Sequence, residues 1–170
     1  MADINISFNC SDIEAFQKAM EQLCDYEIDQ MMVDTAKDVT KSMLSKVKKN
    51  TGVGRVPSYI TADVRQKYWA GYVGGQLRDS WHPQVIRKEG NAWKCGVENN
   101  TKYAIYYEYG HRQNVGQFVP QLGLRLKKPF VEGHYPATKA AQSMQRQMPR
   151  VAEKNVRKMM QRLEDYDKDK

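Results

Sequence analysis

Helix-patterned sequence at both ends, with strand-patterned sequence between them, predicts a chain of mixed α and β structure. Three observations carry this reading. Residues 11–49 place apolar side chains at helical spacing, residues 136–163 do the same, and residues 77–107 break into short runs divided by Gly and Asn. At 170 residues the chain has the length of one domain with a core of its own.

The first element is short. Ile4, Ile6 and Phe8 alternate, as in a strand over Asn5 to Asn9. Ser11-Asp12-Ile13-Glu14 then has the form of a capping box, in which the Ser11 hydroxyl accepts from the Glu14 N–H and the Glu14 carboxylate reaches back. Ile13, Phe16, Met20, Cys24, Ile28, Met32, Val39, Met43 and Val47 follow at helical spacing without Gly or Pro. One long helix, kinked if anywhere near Asp25, would extend about 55 Å. That exceeds the body of a single domain, so part of it is expected to pack on another subunit. Asn50 to Pro57, with Gly52 and Gly54, stops the helix.

Residues 58–73 are an aromatic-rich connection with room for a short helix, and a connection this long is often a binding element. Leu77 to Arg87, Ala92 to Val97 and Lys102 to Tyr107 read as strands, with Lys88-Glu89-Gly90-Asn91 a hairpin turn. Tyr103 to Gly110 fits two conformations. A strand puts Tyr103, Ile105, Tyr107 and Tyr109 on one face; a helical turn ending at Gly110 groups Tyr103, Tyr106 and Tyr107, and we favour the turn. Residues 111–128 read as a polar, basic loop. The final helix spans Pro136 to Leu163, with Pro149 expected to kink it, and Asp165 to Lys170 form a charged tail.

Composition narrows the function. No apolar run approaches the roughly 20 residues of a membrane span, and the first residues lack a signal-peptide layout. A soluble protein made inside the cell is the expectation. Cys10, Cys24 and Cys95 show no CxxC spacing and read as reduced, small apolar side chains. His82, His111 and His134 lack metal-ligand spacing. Gly74-Gly75 lacks the Lys and Ser/Thr of a phosphate loop, and no nucleophile stands beside a base. The chain therefore reads as a non-enzyme, without catalytic, cofactor or metal residues.

Charge is unevenly spread. The net charge is +7, yet residues 1–40 hold nine acids against Lys18 and Lys37. The rest is strongly basic, so the plain reading is two solvated helix faces of opposite sign. The sharper one is an acidic end that meets the basic end of a neighbouring subunit. On the last helix Lys139, Arg146, Arg150, Lys154, Arg157, Lys158 and Arg162 face only Glu153. That ridge is either a solvated face or a surface for nucleic-acid phosphates.

The most telling segment is Tyr103-Ala104-Ile105-Tyr106-Tyr107-Glu108-Tyr109-Gly110: four tyrosines and one carboxylate in eight residues. Such a segment suits an interface. A packed carboxylate there would need a partner, and Arg78 is the expected one.

Taken in order, Gly74-Gly75-Gln76-Leu77-Arg78-Asp79-Ser80, Tyr103 to Gly110, and Pro129-Phe130-Val131 resemble the tail-component family of tailed phages. These are small neck proteins also called tail-completion or head–tail joining proteins. The family pattern is Thr/Gly-Gly-x-Leu-Arg-x-Ser, then Tyr-Ala-x-Tyr-Val-Glu-Phe-Gly, then Pro-Phe-Leu leading into a C-terminal helix. The organisation matches over roughly residues 12–165. Departures are Gly74 for Thr, the larger Tyr107 and Tyr109, the longer link over 50–73, and Glu132 to Tyr135 delaying the last helix.

The resemblance implies an α+β fold, a small and mainly antiparallel sheet flanked by the long N-terminal helix and a kinked C-terminal helix. It implies a non-catalytic virion protein, a homo-oligomeric and hexameric ring at the head–tail junction or upper end of the tail, acting as neck, collar, tail-completion or tail-terminator subunit. Its partners would be copies of itself, tail-tube and head-connector or sheath proteins, and DNA held non-specifically in the channel, with no membrane. It would be found in the virion neck or tail, and in host cytoplasm during assembly. Leu77, Arg78, Tyr103, Tyr106, Tyr107, Glu108, Tyr109, Pro129 and Phe130 become candidate subunit contacts. Arg146, Arg150, Lys154, Arg157, Lys158 and Arg162 become candidate channel-facing residues. The competing reading is a small basic DNA-binding accessory protein that uses the last helix.

Overall fold

The computed structural model describes residues 10–90 and 92–168. In chain order these form α1 (Cys10–Asn50), α2 (Ala62–Tyr68), α3 (Gln76–Asp79), β1 (Trp81–Pro83), β2 (Arg87–Glu89), β3 (Ala92–Lys94) and β4 (Val97–Asn99). Then come α4 (Ala104–Tyr109), β5 (Gly110–Arg112), β6 (Phe118–Val119), β7 (Leu124–Arg125), β8 (Phe130–Glu132) and α5 (Pro136–Lys168). The fold is α+β, with long helices at the two ends.

Both long helices fall where apolar periodicity put them. α1 takes in Cys10, so Ser11 stands inside the helix; the Ser11–Glu14 capping box and the Asn5–Asn9 strand lie outside what is described. The helix ends as Thr51 folds back, its N–H donating to Val47 O at 2.9 Å and its hydroxyl to the same oxygen at 2.7 Å. α5 passes through Pro149 without ending and runs on to Lys168.

α1 and α5 pack antiparallel, matching Asn50 to Pro136 at one end and Glu27 to Arg162 at the other. β1 lies against α1. Between them Val47, Trp81 and Ala140 are buried, with Met43, Leu44, Val97 and Ala137 packed around them. Trp81 is large, so its indole N–H needs an acceptor when buried; it donates to the Thr51 hydroxyl at 2.9 Å.

The strands form four two-stranded antiparallel ladders, β1 with β4, β2 with β3, β5 with β8 and β6 with β7. The β2–β3 hairpin turns at Gly90, as its turn chemistry predicts, with Glu89 opposite Ala92.

Two local expectations change, and one left between alternatives is decided. The strand from Leu77 begins only at Trp81, because Gln76–Asp79 form one helical turn after Gly75, which has φ 109°. Ala104–Tyr109 is helical, with Tyr103 at its N-cap, as favoured over a strand. Residues 111–128 are not one loop: Gly110–Arg112 pairs with Phe130–Glu132, and a small hairpin lies between them.

Candidate functional site

The Tyr103–Gly110 segment is the junction of the molecule. Its inward side chains tie three separate stretches together. The Tyr107 hydroxyl accepts from the Gly52 N–H at 2.9 Å, which anchors the link after α1. The Tyr107 ring stacks on His134, 4.4 Å between centroids, and the His134 N–H donates to Tyr107 O at 2.8 Å.

Glu108 is buried, 5% exposed, and its carboxylate sits on the first turn of α5. It accepts from the N–H of Ala137 at 2.9 Å, the N–H of Thr138 at 2.9 Å and the Thr138 hydroxyl at 2.7 Å. The geometry follows from helix chemistry. A helix start leaves unsatisfied N–H groups and partial positive charge, which a carboxylate satisfies. Pro136 occupies the first helical position, where its missing N–H costs nothing. Tyr135 ahead of it adopts a left-handed φ of 55°, so the capping acid comes from 29 residues upstream. The expected Arg78 partnership is therefore corrected: Arg78 pairs with its neighbour Asp79 at 3.2 Å.

Two glycines of the signature have steric reasons. A side chain at Gly74 would overlap the Gly54 carbonyl, so the α1–α2 link can lie directly on it. Gly110 has φ 81°, and a Cβ there would meet the Val131 carbonyl across the β5–β8 pair. The second and third motifs thus meet through backbone, whereas the first packs its backbone on the link after α1.

With Glu108 and Tyr107 turned inward, the other side chains of α4 face out. Ile105 is 60% exposed, Tyr106 56% and Tyr109 60%. Tyr103 is less exposed and donates to Gln76 Oε1 at 3.4 Å; burial, then the nearby Tyr72, raises its phenol above the ordinary value. Tyr106 lies edge-on to His111, and Tyr109 edge-on to Tyr135. Pro129 and Phe130 are exposed, whereas Leu77 is buried in the chain's own core. Ile105 and Tyr135 complete this face and were not singled out by sequence. Beside it, Gly52, Gly54, Tyr72, Gln76, Tyr103 and Tyr107 line a groove of about 370 Å³. From the 58–73 connection, Gly71, Tyr72 and Val73 reach this groove.

The basic ridge of α5 is divided by its partners. Arg162 donates to Glu27 Oε2 at 2.7 Å and lies 3.8 Å from Asp34; Lys154 pairs with Asp38 at 3.1 Å. The Lys154 hydrogen bond, opposed by desolvation, holds the Asp38 carboxyl below its ordinary pKa. Arg157 pairs with Glu153. Arg146, Arg150 and Lys158 remain exposed without an ion pair among the described residues. The acidic stretch of α1 thus meets the basic stretch of α5 within one chain. Among the described residues no cluster of His, Cys, Asp and Glu could hold a metal, and no helix is long and apolar enough to cross a membrane.

Residues 14–110 match the model of a family described as "Bacteriophage HK97-gp10, putative tail-component". The matched stretch is more than half of the chain. The chain belongs to this family. The HK97-gp10-like region runs through α1 to α4 and closes on Gly110, so it contains the first two motifs; Pro129–Val131 and α5 lie beyond it. No curated protein and no solved structure matches the chain. Membership makes it a structural component of a phage tail.

Proposed function

We propose that this tail component is a ring-forming subunit at the upper end of the tail or the head–tail junction, with six the copy number that the family resemblance implies. The observation that carries the proposal is the outward face of α4. Ile105, Tyr106 and Tyr109 project from a turn whose other side is locked by Tyr107 and Glu108. Aromatic side chains on a rigid support suit the centre of a subunit contact, since little conformational entropy is lost on docking.

The total surface supports the same reading. The chain exposes 13409 Å², against roughly 8,600 Å² for a compact monomer of 19.7 kDa. The ring's two head-to-tail contacts would draw on different faces of each subunit. Tail-tube protein on one side and head-connector or sheath protein on the other are the partners proposed.

The test is the pair Tyr106→Glu with Tyr109→Glu, both exposed and outside the core. The expected result is a folded protein, judged by an unchanged circular dichroism spectrum, that fails to complement: heads and tails accumulate unjoined, or tails vary in length. Normal particles from the variant would remove this face from the proposal.

A further inference from the structure

The α1–α5 pair is electrostatically two halves. In one, α1 acids meet α5 cations: Glu27 and Asp34 with Arg162, Asp38 with Lys154. In the other, no acid occurs from Val39 to Ala62 or from Gly133 to Ala152. Antiparallel packing brings these two acid-free stretches together, since Asn50 reaches Pro136 and Asp38 reaches Lys154. Lys41, Lys46 and Lys49 have no carboxylate partner among the described residues. Arg146 and Arg150, exposed on α5, lie within one turn of Gln147.

We propose that the concave face formed by Lys41, Ser42, Ser45, Lys46 and Lys49 of α1 with Gln147 of α5 binds the phosphate backbone of double-stranded DNA. The concavity has a volume of about 490 Å³. Its lining decides between two kinds of acidic partner. A protein interface has an apolar or aromatic centre, and this lining has none. A phosphate backbone needs only cations and neutral donors, which the lysines, the two serine hydroxyls and the glutamine amide supply. Lys41 to Lys49 spans about 12 Å of helix, long enough to follow several phosphates. This differs from the α5 ridge expected from sequence, where Lys154, Arg157 and Arg162 each pair with a carboxylate of the chain.

Retention of a labelled 40-base-pair duplex by the isolated protein tests the inference at about 50 mM salt, where phosphate-driven binding is strong. Wild type should bind without sequence preference. Lys41→Gln/Lys46→Gln/Lys49→Gln should bind at least about tenfold more weakly, with a log-log salt slope smaller by about 2 to 3, from three lost phosphate contacts. The corresponding Lys→Arg triple should restore both. Arg157→Gln, whose side chain is already paired with Glu153, should leave the slope close to wild type. No retention by wild type, or a Gln triple with an unchanged slope, overturns the inference. So does a Gln triple that keeps DNA but loses a tail-tube partner. Light scattering of the same samples reads the ring separately, so either proposal can fail without the other.

Discussion

Glu108 joins the signature segment to the last helix. Its carboxylate receives two backbone N–H groups and one hydroxyl at 2.7–2.9 Å, so it supplies α5 with a cap that the local sequence lacks. Glu108→Ala should lower unfolding stability by about 2 kcal/mol, the upper range for losing a cap plus its charge-assisted bonds. Glu108→Gln should lose about half as much, and Arg78→Ala less than about 0.5 kcal/mol because its pair is exposed. Urea titration of the three variants checks this; equal losses at Arg78 and Glu108 would restore the ion-pair reading. The sequence showed that an acid among tyrosines needs a partner. It could not show that the partner is backbone: N–H groups at a helix start belong to no residue type, and the 29-residue separation exists only in the fold.

Among the elements, α1 and α5 were legible because many turns of apolar spacing average out local exceptions. The β2–β3 hairpin was legible from its glycine turn. The four residues of α3 make one turn, too short for a 3.6-residue period to be told from alternation, and β6 and β7 have two residues each. The β5–β8 pairing brings together segments separated by the β6–β7 hairpin, which no local pattern records. Charge matching between α1 and α5 was half legible: the acidic and basic blocks were plain, but their partners lie in the same chain. Glu27 is 4% exposed and depends on Arg162 for compensation. Arg162→Ala should cost about 2 kcal/mol, discounted from the 3–5 of a fully buried pair because the guanidinium side remains over a third exposed. Replacing both residues by Met should recover most of that loss in the same urea titration, since no buried charge is then left unpaired; no recovery would mean that packing of the arginine stem dominates.

At the scale of the whole molecule, surface area agrees with the outward face of α4 as a pointer to assembly. The chain exposes roughly 4,800 Å² more than a compact monomer of its mass. Two standard contacts remove about 1,600 Å² from each subunit, so a ring subunit has ample surface for neighbours around the ring and for partners above and below. The exposed aromatics of α4 give that surface a centre, and the inward Glu108 and Tyr107 keep it rigid. The most direct test is the native mass of the purified protein over a range of concentrations, alone and with tail-tube protein. The account predicts a closed ring of defined copy number, six by family resemblance, that caps tube ends. A strict monomer at every concentration that never joins the tube would contradict it.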